Sequence, residues 1–302
     1  MDTKMWEVVI VGAGPAGLSA ALILGRCGRR VLVCDGGPTR NAASHALHGF
    51  LTREGLKPTQ FLTLAREQLA PYETIELRQV EVRDVRSLPS GFEVTLSTGA
   101  TIVARKLLLA TGVVDELPKI DGLADFYGRS VFHCPYCDGW ERRDQPLAVY
   151  GSGDNGLGLS LELLLWSRNL VLCTDGPSQL SKEDVERLDR HGIGLREDRI
   201  ERLEGNDGSL ERIVFTNGEA IERSAMFFST GQQQGSTLAE KLGCVITDQG
   251  CVDTGDYEKT NVPGVYVAGD ASRLVQFVIV AASEGAQAAV AINKELMKED
   301  LN

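Results

Sequence analysis

Val8-Val9-Ile10-Val11-Gly12-Ala13-Gly14-Pro15-Ala16-Gly17 is the stretch on which the fold turns. Its first four residues form a continuous apolar run of the kind shown by a strand buried on both faces in a parallel sheet. The glycines sit at the spacing of a strand-to-helix turn. A helical stretch then reaches about Cys27, and the strand Val31-Leu32-Val33-Cys34 ends in Asp35. This is a βαβ unit, whose crossover is right-handed. Gly12 permits the tight turn, Gly14 lets the backbone approach a pyrophosphate, and Gly17 lets the helix pack on the strand. The helix N-terminus supplies free N–H donors and a positive dipole end. Asp35 is placed to accept hydrogen bonds from an adenosine ribose.

Further along the chain the pattern returns. Leu147-Ala148-Val149-Tyr150 leads into Gly151-Ser152-Gly153-Asp154-Asn155-Gly156, a helix to about Trp166 and the strand Leu170-Val171-Leu172-Cys173. Gly151 follows Gly12 by 139 residues and Cys173 follows Cys34 by the same offset, with no gap between. Cys34-Asp35-Gly36-Gly37-Pro38 even lies over Cys173-Thr174-Asp175-Gly176-Pro177. The expected fold class is therefore α/β, with two Rossmann-like dinucleotide-binding domains. Leu107-Leu108-Leu109-Ala110-Thr111-Gly112 reads as a buried strand with a glycine turn, followed by the linker-like Leu117-Pro118-Lys119-Ile120-Asp121-Gly122. Near the end, Val265-Tyr266-Val267-Ala268-Gly269-Asp270 is another strand with its acid at the carboxyl end, where cofactors bind in open α/β sheets. The second domain is thus expected to be inserted into the first. Residues 1–117 and 244–302 would form the first domain, closed by a helix from about Leu274 to Lys298, and 118–243 the second.

Length and composition agree with two domains. The chain has 302 residues, 43% apolar and 24% charged, which is ordinary globular material. A net charge of −11 argues against a nucleic-acid partner, since phosphate neutralisation needs clustered Lys and Arg. No apolar run approaches the roughly 20 residues that cross a bilayer. Met1-Asp2-Thr3-Lys4-Met5-Trp6-Glu7 carries acids and runs straight into a strand, unlike a secretory leader, so a cytoplasmic address is expected.

Of seven cysteines, Cys134 and Cys137 are paired at close spacing, in His133-Cys134-Pro135-Tyr136-Cys137-Asp138. Cys34 and Cys173 fall in apolar strand patterns, where a small buried hydrophobe is expected. The odd count in a chain this long is not a secreted disulfide scaffold. A zinc site would want a second ligand pair, and neither Cys173, Cys244, Cys251 nor the four histidines supplies one, so no metal is expected. Cys-Pro-Tyr-Cys also matches a glutaredoxin active site, but there it lies near the N-terminus, whereas here it follows a complete nucleotide-binding unit. Exchange at such a pair needs a thiolate attacker and an accessible sulfur. His133 is a candidate for lowering a thiol pKa, with a bystander histidine as the alternative.

The motifs together resemble a known family. Gly12-Ala13-Gly14-Pro15-Ala16-Gly17, Ala110-Thr111-Gly112 and Ala268-Gly269-Asp270 look like the FAD signatures of flavoproteins with two dinucleotide-binding domains. The cysteine run narrows the match to the low-molecular-weight thioredoxin reductases, over nearly the whole chain. The resemblance implies FAD held by Gly12, Gly14, Ala16, Gly17, Asp35, Asn41, Thr111, Gly112, Gly269, Asp270 and Gln276, with Asp270 on the ribityl chain. It also implies flavin contact by Cys137, attack on the substrate by Cys134, and protonation of the outgoing thiolate by Asp138. Its implied partners are a thioredoxin-like protein or a small dithiol or disulfide, and its implied assembly a homodimer.

Three places depart from the family. Where its second nucleotide motif carries a His-Arg-Arg run for the 2′-phosphate, this chain has Thr174-Asp175-Gly176. A carboxylate repels that phosphate but accepts from a free ribose hydroxyl, so NADPH is disfavoured. Gly151, Gly153, Asn155 and Asp175 are left to hold NADH, a second FAD or no nucleotide, with an inherited fold element as the plain alternative. The loop from Arg40 to Leu51 contains His45 and His48 and resembles that of thioredoxin-reductase-like dithiol oxidases, which pass electrons to oxygen. Either histidine is a candidate base, with a surface or capping role as the alternative. Val275-Gln276 replaces the usual Arg-Gln. The expected activity is FAD-dependent disulfide exchange through Cys134 and Cys137, with a dithiol oxidase, or a relay or sensor fed by ferredoxin or another flavin, as alternatives.

Overall fold

In the computed structural model, which describes residues 5–302, the opening strand is β1 (Trp6–Val11). Met1–Lys4, part of the stretch read as unlike a leader, lie outside the described residues. The chain continues through α1 (Pro15–Arg26), β2 (Val31–Asp35), α2 (Pro58–Glu67), β3 (Ile75–Gln79), β4 (Val82–Leu88), β5 (Gly91–Leu96), β6 (Thr101–Leu109) and β7 (Val113–Asp115). Next come α3 (Leu123–Phe126), β8 (Val131–Phe132), α4 (Pro135–Asp138), β9 (Leu147–Tyr150), α5 (Gly153–Leu163), β10 (Leu170–Cys173), α6 (Lys182–Arg190) and β11 (Gly194–Arg196). After the antiparallel strands β12 (Ile200–Asn206), β13 (Ser209–Phe215) and β14 (Ala220–Glu222), the chain closes with β15 (Ala225–Phe228), β16 (Gln232–Gln234), α7 (Leu238–Lys241), β17 (Val265–Val267) and α8 (Val278–Leu301).

Two compact units result. The first holds residues up to Ala42, Gly49–Val114 and Gln232–Asn302; the second holds Ala43–His48 and Asp115–Gly231. The chain leaves the first unit after Val114 and returns at Gln232, against expected boundaries near 117 and 244. The return comes earlier because Leu238, Ala239 and Cys244 bury against β4, β6 and β17 side chains in the first unit's core. The expected helix from Leu274 begins instead at Val278, because Phe277 is still extended at φ −91° and ψ 150°.

In the first unit, β3, β2, β1, β6 and β17 lie side by side and parallel, with β4 and β5 adding an antiparallel excursion on β6. One face packs on α1 and α8, through Ile10, Leu24, Ala288, Ala289 and Ile292. Val9, Leu32, Leu107 and Val267 bury in a second cluster on the other face, and burial on both faces explains the unbroken apolar runs. The second unit has a parallel sheet in the order β11-β10-β9-β15-β8. The internal repeat extends to hydrogen bonding: Gly12 N donates to Cys34 O at 2.9 Å and Gly151 N to Cys173 O at 3.3 Å.

Candidate active site

The carboxyl ends of β1, β2, β6 and β17 bring the first unit's predicted residues to one edge of its sheet. Gly12 has φ 109°, and a Cβ there would lie 2.2 Å from Ala110 O. A Cβ on Gly17 would lie 1.9 Å from Gly12 O, so only glycine allows helix and turn to close. Gly14 has more room, since a Cβ there would meet Thr39 Cγ2 in ordinary contact at 3.8 Å, and it is the N-cap of α1. That is an open cradle of backbone at a helix N-terminus, fitted to a pyrophosphate. Asp35 is 4% exposed; its Oδ2 accepts from Arg66 Nη2 at 2.7 Å and its Oδ1 from Gly37 N at 3.3 Å.

Gly269, at φ 87°, turns the chain between the end of β17 at Val267 and Asp270. Arg40 Nη1 donates to Asp270 Oδ2 at 3.1 Å and to Gln276 Oε1 at 2.5 Å, while Gln276 Nε2 reaches Arg273 O at 3.0 Å. Asn41 Oδ1 accepts from Thr39 Oγ1 at 2.9 Å. Gly112 O accepts from Gly235 N at 2.8 Å, and a Cβ on Gly235 would lie 2.4 Å from Thr111 O. Ala16, 5% exposed, sits where α1 crosses α8, with its carbonyl against Gly285. Arg40 had no signal in the sequence, since its partners lie 230 and 236 residues away.

In the second unit β8 ends at Phe132, and His133, Cys134 and α4 follow at once. Pro135 opens α4, where its missing N–H costs nothing. Cys134 and Cys137 are joined as a disulfide with Cα atoms 5.3 Å apart, inside the bridging range. Burial raises the Asp138 carboxyl to about 7; His48 and Arg142 pull it down and Glu141 pushes it up. His48 Nε2 lies 3.8 Å from Glu141 Oε1, whereas His45 is exposed. His133 Nδ1 is 3.7 Å from Asp115 Oδ2, which accepts from Tyr127 Oη at 2.7 Å. Neither Asp115 nor Tyr127 was legible as functional, although Asp115 lies just beyond the Thr111-Gly112 turn, a position that marks the carboxyl end of a buried strand.

The second glycine motif repeats the turn of the first, and a Cβ on Gly153 would meet nothing within 4 Å. Gly153 N donates to Ser178 O at 2.8 Å, and a Cβ on Gly156 would lie 2.7 Å from Gly151 C. Asp175, expected to face a ribose, accepts from Ile200 N at 2.7 Å through Oδ1 and from Tyr150 Oη at 3.4 Å through Oδ2. Asn155 is exposed on the first turn of α5. Outside the disulfide five cysteines are free: Cys27 is exposed and the others buried. Burial pushes the Cys34 and Cys173 thiols up to about 12 and raises those of Cys244 and Cys251. Among the described residues no group of His, Cys, Asp or Glu is arranged to hold a metal ion, and no helix is long and apolar enough to cross a membrane.

The sequence profile of the family described as pyridine nucleotide-disulphide oxidoreductase matches residues 6–285. The chain belongs to that family. Among the pyridine nucleotide-disulphide oxidoreductases similar to it are proteins named thioredoxin reductase. Thioredoxin reductase sirT of Leptosphaeria maculans is 30% identical over 99% of this chain and 96% of its own. The solved structure of HlmI is 34% identical with a TM-score of 0.93, covering 98% of this chain and 94% of that one. An oxidoreductase from Agrobacterium tumefaciens is 31% identical with a TM-score of 0.90, over 97% and 99%. The family implies FAD, and the open cradle at Gly14 fits it. As a member, the chain is a flavin-dependent disulfide oxidoreductase.

Proposed function

We propose that the chain passes electrons between FAD and a dithiol or disulfide substrate through Cys134 and Cys137, without NADPH. The observation that carries this is the bridged pair with Asp138 one residue beyond it, its carboxyl at about 7. FAD, when bound, supplies two-electron exchange with a neighbouring sulfur pair. The protein's own part is to hold the adenosine and pyrophosphate on Asp35, Gly12, Gly14 and the α1 N-terminus, and the ribityl end on Asp270 and Gln276. Ala16 and Gly17 keep α1 close to its neighbours, Thr111, Gly112 and Gly269 shape the rim, and Asn41 orders the Arg40 loop. Cys134 exchanges with substrate, and Asp138 holds the proton that the outgoing thiolate needs at neutral pH.

Asp175 supports the NADPH-free reading. An acid stands where the resemblance has a phosphate-binding base, and a carboxylate there repels a 2′-phosphate. Gly151, Gly153 and Asn155 on this reading are elements of the fold, and electrons enter from ferredoxin or another donor, or from the substrate itself. The substrate is a thioredoxin-like protein or a small dithiol or disulfide. The five free cysteines fit a reducing, cytoplasmic compartment. A homodimer is carried over from the family resemblance, and light scattering checks it.

His48 favours one second reading. It lies in the loop that resembles those of dithiol oxidases, in the second unit with its charge acting on Asp138 and its Nε2 3.8 Å from Glu141, which supports a dithiol oxidase that uses oxygen. Oxygen uptake on adding dithiols is expected on that reading, and its absence across varied dithiols overturns it.

Gentle denaturation should release one FAD and no nicotinamide nucleotide per chain, and NADPH added anaerobically should leave the flavin absorbance unchanged. The Cys134→Ser, Cys137→Ser double variant should lose turnover. Normal turnover in that variant overturns the proposal, and rapid flavin reduction by NADPH overturns its second half.

A further inference from the structure

We propose that His133, held by Asp115 and Tyr127, handles the proton for exchange at Cys134, as a group separate from Asp138. Resting on the cysteine chemistry just proposed, this adds two positioning residues and divides the acid–base work between the sulfurs. His133 is the first residue beyond β8, whose Val131 and Phe132 are buried and register with Met226 and Phe227 of β15. Its place beside Cys134 is therefore set by a packed sheet. The Asp115 side chain is 5% exposed, while that of His133 is 34% exposed. A buried carboxylate must find donors or it destabilises the fold. Asp115 Oδ2 takes the Tyr127 hydroxyl at 2.7 Å and faces His133 Nδ1 at 3.7 Å, with Tyr127 Oη 3.5 Å from the same ring nitrogen. The uncharged Phe228 ring of β15 packs beside the group, 6.3 Å from His133 and 6.1 Å from Tyr127 between centroids.

A carboxylate against Nδ1 has two effects. It keeps the proton of the neutral ring on Nδ1, leaving Nε2 to exchange, and it stabilises the imidazolium. With the pair reduced, the Cys134 thiol gives its proton to Nε2 and the thiolate attacks one sulfur of a substrate disulfide. The substrate S–S bond breaks, a Cys134–substrate disulfide forms, and the leaving thiolate takes the proton back from His133. The Cys137 thiolate then attacks Cys134 Sγ, closing the bridge and releasing the second substrate sulfur, with Asp138 passing the Cys137 proton on. Two electrons and two protons move from the pair to the substrate, and each step reverses for a dithiol that the bridge oxidises.

The test is the pH dependence of iodoacetamide alkylation in the FAD-loaded full chain carrying Cys137→Ser and Cys27→Ser, which leaves Cys134 as the reactive thiol. Its inflection should lie below the ordinary thiol value of about 8.5. His133→Gln should raise that inflection by at least one pH unit, roughly tenfold in rate at pH 7. Asp115→Asn and Tyr127→Phe should move it the same way by less. Profiles superimposable on the parent's in His133→Gln and Asp115→Asn, with flavin content and Tm matched, overturn the proposal. Should Asp115→Asn not fold, the exposed edge of His133 makes His133→Gln sufficient. Alkylation needs neither electron donor nor substrate. A shift with no turnover found therefore upholds this inference while the functional proposal fails, and unshifted profiles with cysteine-dependent turnover do the reverse.

Discussion

Asp138 holds its proton near neutrality because burial outweighs the pull of His48 and Arg142, leaving its carboxyl at about 7. Below that pH it is protonated and can donate; above it the carboxylate cannot. Exchange that requires protonation of an outgoing thiolate should therefore slow as pH rises through about 7. Asp138→Asn should abolish that limb and cut the rate by about 10²–10⁴-fold, checked by stopped-flow exchange across pH 5.5–8.5. An unchanged limb would assign the titration to another group. Residues whose type encodes their job were legible in the sequence: Gly12 and Gly17 because no Cβ fits, Cys134 and Cys137 because their spacing bridges. Residues whose job depends on a distant partner were not. Arg40 meets Asp270 from 230 positions away, and Asp115 meets Tyr127 and His133 only after β7, α3 and β8 are in place. The pairing of Asp175 with Ile200 N is of the same kind.

At the scale of elements, α1 and α8 cross so closely that a Cβ on Gly285 would lie 2.0 Å from Ala16 O. Gly285→Ala should destabilise the protein by about 1–3 kcal/mol through overpacking, measured by denaturant unfolding. Gly158, exposed in the middle of α5 with nothing within 4 Å, makes the contrast. Gly158→Ala should stabilise by about 0.5–1 kcal/mol, because the helix gains a better former. Equal effects at the two positions would mean that helix propensity, rather than the crossing, decides both. The Arg40 loop is the other element to probe. Arg40→Met removes the donor shared by Asp270 and Gln276, and a charged hydrogen bond of about 1.5–3 kcal/mol predicts FAD affinity at least roughly tenfold weaker, read by fluorescence titration. Strands and the two long helices were readable from period and glycine punctuation. The start of α8 was not, because Gln276 bonds to Arg40 and Arg273 O and keeps the preceding segment extended.

For the whole molecule, one architectural pattern is used twice with different outcomes. In both copies the first glycine's N–H donates to the end of the neighbouring strand, but the acids that follow take different partners: Asp35 accepts from Arg66 and Gly37, and Asp175 from Ile200 and Tyr150. The burial of the spare cysteines carries a practical consequence for counting. Four of the five unbridged thiols are inside the fold and held protonated, so a thiol-titrating dye added to the native, oxidised protein should register a single equivalent, Cys27. Reduction of the bridge should raise the stoichiometry to three, and unfolding the reduced chain should expose all seven. A Cys27→Ser preparation would begin from a blank baseline. On it, every equivalent of dye consumed in native buffer reads directly as the redox state of the pair, a built-in electron counter that needs no flavin spectrum.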